Sequence, residues 1–216
     1  MKTWSRRNMT IEWSKLTDDD LSYCVRGLPK KVRDLMNRHE GRAVLAGGYV
    51  RAMIRGEDVS DIDIFSTSKE QAERFASNFG GETILTQNAT TVLARPYPVQ
   101  FIHKWTFETP QAVVASFDFT IAQAAVWWDG REWSSACHPS FYADLAARRL
   151  NYSRSSEPGG SVLRLLKLSR RGYRASPETV AALLDAVFEQ AKGRDRPMLE
   201  ALTAILREVD PLPEAR

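Results

Sequence analysis

Gly47-Gly48, followed after twelve residues by Asp61-Ile62-Asp63-Ile64, constrains this chain more than any other feature. Asp61 and Asp63 lie in an apolar run that ends at Phe65. Such a run reads as a strand, and residues two apart in a strand project from one face. Both carboxylates then face one site while Ile62 and Ile64 face the core. Two carboxylates that close resist joint ionisation without a positive partner, and hard oxygen ligands suit Mg2+ or Mn2+. The expected occupant is a divalent ion carrying phosphate, with a nucleoside triphosphate as its source.

The glycines supply the other half of the pattern. Arg42 to Ala46 reads as a short buried strand, Gly47-Gly48 as a turn, and Tyr49 to Arg55 as a helix ended by Gly56. Val50, Met53 and Ile54 share its apolar face. A glycine pair at that turn lets a phosphate approach the backbone and meet the N–H groups of the helix start. Arg51 and Arg55, four apart, share a face pointing away from the apolar stripe, where one or both add charge-assisted bonds to phosphate. Asp-x-Asp alone is common on solvated strands, and Gly-Gly alone is usually an ordinary turn. Together in one strand-turn-helix-strand unit they fit in-line attack on an α-phosphate, with metal ions clamping nucleophile and leaving pyrophosphate.

On these residues the chain resembles the polymerase-β-type nucleotidyltransferase superfamily, and within it the head domain of bacterial CCA-adding and poly(A) polymerases. Gly47-Gly48-Tyr49-Val50-Arg51 is similar to their Gly-Gly-x-Val-Arg-Asp, with Ala52 in place of the Asp. Ser60-Asp61-Ile62-Asp63-Ile64-Phe65 is similar to their metal-binding strand. Asp118-Phe119-Thr120-Ile121 matches the centre of Arg-Arg-Asp-Phe-Thr-Ile-Asn-Ala, with Ser116-Phe117 for the arginines and Ala122-Gln123 for Asn-Ala. Asp144-Leu145, followed by Arg148-Arg149-Leu150, resembles the segment closing the head. Leu163-Arg164 with Lys167-Leu168 resembles the neck helix Leu-Arg-x-x-Arg-Phe.

The resemblance covers roughly residues 42 to 173 and implies an α+β fold: a mixed sheet with flanking helices, plus a small C-terminal helical neck. It implies a catalytic domain over 1–152 and a helical extension over 153–216. It further implies Asp61 and Asp63 as catalytic metal ligands, with Gly47, Gly48, Arg51, Ser60, Thr120, Arg164 and Lys167 around the nucleotide. Most of the superfamily carries a third carboxylate on a neighbouring strand. Reading Pro98 to Ile102 as that strand puts Gln100 in its place, and an amide is no useful proton acceptor. Asp118 is then the better candidate for third metal ligand or general base, and a hydrogen-bonded anchor at a strand end is its other reading.

Composition sets wider limits. A chain of 216 residues holds one ordinary domain with a small appendage. A net charge of +3 with a pI near 8.9 is only mildly basic and does not by itself require a nucleic-acid partner. Cys24 and Cys137 have no paired spacing and no neighbouring His cluster, which excludes a disulfide framework and a zinc site. No apolar run is long enough to span a bilayer, and Met1 to Arg7 is followed by no signal-peptide core, so a cytoplasmic protein without a membrane partner is expected.

Along the chain, Leu16 to Val25 and Leu28 to His39 read as helices, the first started by Thr17 and the second stopped by Gly41. Ser68 to Phe79 reads as a helix capped by Thr67 and closed by Gly80-Gly81. Glu82 to Leu85, Thr90 to Arg95 and Val99 to Lys104 read as strands, the last two a tight hairpin around Pro96-Tyr97-Pro98. Phe117 to Trp127 and Glu132 to Ser135 read as a strand pair about Asp129-Gly130. Alternatively a short helix begins at Thr120. Ser153 to Gly160 turns to Ser, Pro and Gly, as a linker or mobile loop does. Three helices follow: Ser161 to Arg171, Pro177 to Ala191 with Ser176 as N-cap, and Pro197 to Val209, which stops before Asp210-Pro211.

Arg164, Lys167 and Arg171 follow helical spacing and form either a phosphate-contacting stripe or a solvated face. Trp105, Phe107, Trp127, Trp128 and Trp133 either stack a base or pack as core and strand partners. His39, His103 and His138 read as structural, His103 being the one nearest the sheet site.

The expectation is a Mg2+- or Mn2+-dependent enzyme moving a nucleoside monophosphate from a nucleoside triphosphate to a hydroxyl, with a tRNA-like RNA 3′ end as the acceptor the resemblance implies. Because the chain ends at Arg216 and its neck helices lack a Glu-Asp-x-x-Arg segment, full CCA synthesis by it alone is not expected. Two alternatives stand: a stand-alone transferase modifying a protein partner or small molecule, and a catalytically silent nucleotide- or nucleic-acid-binding module.

Overall fold

In a computed structural model of the chain, residues 12–153 and 157–209 are described. The readings of Met1 to Arg7, of 154–156 within the Ser-Pro-Gly stretch, and of the Asp210-Pro211 stop lie outside these residues.

Two helices, α1 (Asp18–Gly27) and α2 (Lys30–Asn37), precede β1 (Ala43–Ala46), α3 (Gly48–Arg55), β2 (Ile62–Ser66) and α4 (Lys69–Phe79). Then come β3 (Thr83–Leu85), β4 (Ala89–Val92), β5 (Val99–Ile102), α5 (Pro110–Ala115), a 3-10 turn at Thr120–Ala122, β6 (Ala124–Trp128), β7 (Trp133–Cys137), α6 (Phe141–Ala146) and β8 (Arg149–Leu150). The chain continues through α7 (Pro158–Arg170), β9 (Arg174–Ala175), α8 (Pro177–Lys192) and α9 (Met198–Val209). Seven strands form one sheet in the order β3-β4-β5-β2-β1-β6-β7, and β8 pairs with β9 in a separate parallel pair. The β2–β5 pairing is parallel while the other pairings of the large sheet are antiparallel. This is the mixed sheet with flanking helices that the motif arrangement predicts.

Alternation along the central strands gives the sheet two apolar faces. Ala43, Leu45, Ile62, Ile64, Val99 and Phe101 enter the main core, with residues of α1 to α4 and α6. Val44, Ala46, Phe65, Ile102, Ala125 and Trp127 enter a second cluster closed by Val113 and Val114 of α5. Asp61 and Asp63 belong to the second face, opposite Ile62 and Ile64.

Local departures from the predicted elements have physical causes. Ser68, not Thr67, caps α4 by accepting from the Gln71 amide, because the Thr67 hydroxyl is taken by Gln71 Oε1 at 2.8 Å. The β4–β5 connection is a six-residue loop over 93–98, wider than a tight hairpin, since Val92 pairs with Val99. Phe117 to Trp127 is no single strand: Thr120–Ala122 turns through 3-10 geometry before β6 begins. The Asp129-Gly130 turn holds as predicted, with the Asp129 carboxylate accepting from the amides of Arg131 and Glu132 and from the Ser134 hydroxyl.

The largest departure concerns Pro158-Gly159-Gly160. These residues begin α7 and are buried, so they are no loop. Pro158 suits a first helical position, and the glycines let α7 approach α9. A Cβ at Gly159 would lie 2.5 Å from Ile205 Cγ2 and 3.0 Å from the Ile205 carbonyl oxygen. Gly159→Ala is therefore expected to destabilise the protein by about 1–3 kcal/mol through overpacking, although alanine is the better helix former by about 1 kcal/mol. Thermal melts of G159A against the wild type check this. Leu168 and Tyr173 from the end of α7 enter the main core, while α8 and α9 close a small cluster of Ala191, Ala201 and Ile205. Among the described residues no helix is long and apolar enough to cross a membrane.

Candidate active site

The Gly47-Gly48 turn, the β2 carboxylates and α7 form the site. Gly47 adopts φ 83°, ψ −136°, a conformation open to glycine alone, and Gly48 opens α3. A Cβ at Gly47 would lie 3.1 Å from the Phe117 ring and 3.5 Å from Asp63 Oδ2. The turn is thus wedged between an aromatic ring and one of the two carboxylates. Phe117 in turn packs edge-on against Phe65, whose ring centroid is 5.7 Å away.

The two aspartates differ in their surroundings. Asp61 sits one residue before β2, with Oδ1 accepting from the Ser60 hydroxyl at 2.8 Å and Oδ2 accepting from Gln100 Nε2 at 3.0 Å. Asp63 pairs in register with Ala46 on one side and Gln100 on the other. Burial foremost, and then the charge of Asp61, push the Asp63 carboxyl up to about 7, while Arg164 and Lys167 pull it down. A cation between the two side chains relieves both costs.

Gln100 stands beside Asp63, where sequence comparison expects a third acid. Asp118 does not take that place. It is buried beside α7, where Oδ2 is ion-paired with Arg164 Nη1 and Oδ1 has no hydrogen-bond partner among the described residues. Among the described residues no three His, Cys, Asp or Glu side chains converge as a metal-binding group. The carboxylate of Asp118 is thus engaged by the neck cation Arg164, which also acts on Asp63. The donor set still fits Mg2+, which is commonly held by one or two carboxylates together with substrate phosphates.

Thr120 is buried, and its hydroxyl donates to Asp144 Oδ2 at 2.7 Å, beside a second donor from Asn151 at 2.8 Å. It supports the turn that carries Asp118, its hydroxyl proton engaged by Asp144. Arg51 also differs from expectation. It is only 7% exposed, and its Nε lies 3.4 Å from Glu57 Oε2. Arg164 and Lys167 are exposed on α7 and act on Asp63, so the neck stripe reaches the carboxylate pair. Arg171 instead lies near β8, where its carbonyl accepts from Arg148. Of the aromatic residues, Trp127 is core, Trp128 packs edge-on against Trp133, and Trp105 lies under Lys104. His138 Nδ1 accepts from the Ser140 amide and His39 packs against Phe75, both structural roles.

Sequence reasoning missed the contacts of four residues. Phe117 was visible only as a missing arginine. The Gln100 bond to Asp61 needs the parallel β2–β5 register. Glu57 and Tyr173, behind Arg51, carry no local motif.

A family model described as Gad2, Gabija anti-defense 2 family protein, matches residues 8–148. Among solved structures, the Thermotoga maritima CCA-adding enzyme complexed with tRNA is similar at a TM-score of 0.58 and 18% identity, covering 93% of this chain and 52% of that one. A CCA-adding enzyme in complex with ATP is similar at a TM-score of 0.61 and 18% identity, covering 93% and 51%. A tRNA nucleotidyltransferase with a primer tRNA and an incoming ATP analog gives 0.52 and 19%, covering 81% and 61%. The chain spans about half the length of the first two. No curated protein matches it. At these identities the likeness is one of fold, and the fold is that of the nucleotidyltransferase head domain.

Proposed function

We propose, from the premise that this chain belongs to the Gabija anti-defense 2 family, that it is a divalent-metal-dependent nucleotidyltransferase whose activity counters the Gabija defence. One observation carries the reading: Asp61 and Asp63 share a sheet face beside the Gly47-Gly48 turn, with the Asp63 carboxyl pushed up to about 7 by burial and by the Asp61 charge.

In this reading the amides of the Gly47-Gly48 turn and the guanidinium of Arg51 hold the triphosphate, and Lys167 and Arg164 approach it from α7. Asp61 and Asp63 hold Mg2+ or Mn2+, which when bound polarises the α-phosphate and offsets charge on the departing pyrophosphate. Ser60 and Gln100 keep Asp61 aimed. Asp118 orients Arg164, and Thr120 braces the Asp118 turn through Asp144. An acceptor hydroxyl attacks the α-phosphorus, the bond from that phosphorus to the bridging oxygen breaks, and pyrophosphate leaves. Residues 1–152 act as the catalytic unit and 153–216 as the helical extension that brings the cations, in the cytoplasm where nucleotides and Mg2+ are plentiful.

The likeness to CCA-adding enzymes favours an RNA 3′ end, tRNA-like or otherwise, as acceptor. The family description favours a second acceptor, a side-chain hydroxyl on a protein of the defence system, and Ser116-Phe117 in place of two arginines suits it by removing cationic contacts. Incubating the protein with each α-labelled nucleoside triphosphate, Mg2+ or Mn2+, total RNA and the purified Gabija proteins separates them. Label in RNA supports the first acceptor and label in protein the second. Label in neither, with no triphosphate bound, refutes the transferase reading and leaves a silent binding module.

A further inference from the structure

Arg51 is a cation under-used by its surroundings. The guanidinium has five donors, yet among the described residues only Nε is engaged, by Glu57. Its Nη2 atom lies 3.8 Å from the position a Cβ would take on Gly48. The free end of the side chain therefore reaches the start of α3, where the backbone amides face the phosphate site.

Glu57 follows the left-handed Gly56 that ends α3, and its amide donates back to the Ala52 carbonyl at 2.9 Å. Its carboxylate has two clients: Oε2 takes Arg51, and Oε1 accepts the Tyr173 hydroxyl at 2.7 Å. Tyr173 is 2% exposed and lies just beyond α7, its amide bonded to the Leu168 carbonyl at 3.2 Å. A chain of contacts thus runs from the end of the helix that carries Arg164 and Lys167, through Tyr173 and Glu57, to the arginine beside the glycine turn.

We propose that Tyr173 and Glu57 are positioning residues that act through Arg51 on the triphosphate, coupling the seating of α7 to the phosphate cradle. The inference rests on the transferase reading above and deepens it. Tyr173 restrains Glu57, Glu57 fixes the Nε edge of the guanidinium, and the terminal amino groups are left aimed at the γ- and β-phosphates. An ion pair serving only to dock the C-terminal helices has no reason to spare those groups or to lie under the glycine turn.

A double-mutant cycle between Tyr173→Phe and Arg51→Ala tests it, since such cycles measure coupling directly. Tyr173→Phe keeps the packing and removes the hydroxyl. Steady-state transfer and equilibrium binding of each Mg2+-bound nucleoside triphosphate are measured for wild type, both single variants and the double variant, beside thermal melts. Tyr173→Phe is expected to raise KM and Kd for the triphosphate three- to tenfold with kcat changed less than twofold. In the Arg51→Ala background it is expected to do nothing further. Glu57→Gln is expected to weaken triphosphate binding more than Tyr173→Phe, and Glu57→Asp to recover part of the loss. Multiplicative effects of the two changes, or a lowered Tm with unchanged KM, overturn the relay while leaving the transferase reading intact. Failure of the wild type to bind or turn over any triphosphate overturns both.

Discussion

Asp63→Asn is expected to lose nucleotide transfer by about a thousandfold or more, since removing a metal ligand forfeits several kcal/mol of transition-state stabilisation and each 1.36 kcal/mol is about tenfold. The same change should alter how stability depends on pH. The folded Asp63 carboxyl titrates near 7, above its usual range, so between about pH 4 and 7 the folded state holds a proton that the unfolded chain has released. Stability then falls as pH rises through that window. Asparagine has no proton to lose, and D63N is expected to gain Tm relative to the wild type as pH goes from 5 to 7. Added Mg2+ should close the gap by stabilising only the wild type. Asp61→Asn should lose transfer as severely, and without the Asp61 charge the Asp63 carboxyl should titrate lower. Melts across pH with and without Mg2+, beside transfer assays, read all of this. Transfer retained in both variants would remove the carboxylates from the chemistry.

Gly47→Val is expected to cost about 1–3 kcal/mol for forcing a side chain into backbone space reserved for glycine, or roughly 2–12 °C of Tm for a chain of this size. The valine methyls would also collide with Phe117 and crowd Asp63 Oδ2, so triphosphate binding should disappear in whatever fraction folds. Gly48→Ala is the informative companion. Its Cβ meets only Arg51 Nη2, at an ordinary 3.8 Å, and its φ is not of the left-handed kind, so its Tm should hold while the phosphate approach narrows. Calorimetry and nucleotide binding on both variants check the contrast, and equal loss of Tm would refute the strain account.

Much of this was legible where chemistry and local geometry coincide. Gly47-Gly48 declares a turn because only glycine tolerates it, and Asp61 and Asp63 declare a shared face because strands alternate. Ser176-Pro177 and Gly56 mark helix ends for equally local reasons. What stayed hidden depends on distant partners. Pro158-Gly159-Gly160 has the composition of a loop and becomes a helix start only because α9 needs the space. The partner of Asp118, Arg164, comes from a helix 46 positions on. Arg51, placed by periodicity away from the apolar stripe of α3, is buried with Glu57 against it and Tyr173, 116 positions beyond Glu57, behind.

The bonds that complete the site span 39 positions between Asp61 and Gln100, 46 between Asp118 and Arg164, and 116 between Glu57 and Tyr173. The helix caps and the β6–β7 hairpin close over a handful of positions. Short closures form early, while distant ones wait for the entropy of the intervening chain to be overcome. The β2 carboxylates are therefore expected to be in place before α7 brings Arg164 and Lys167 to answer them. In the transferase reading a divalent ion, by supplying positive charge to the two acids, is expected to act as a template for that last stage of folding.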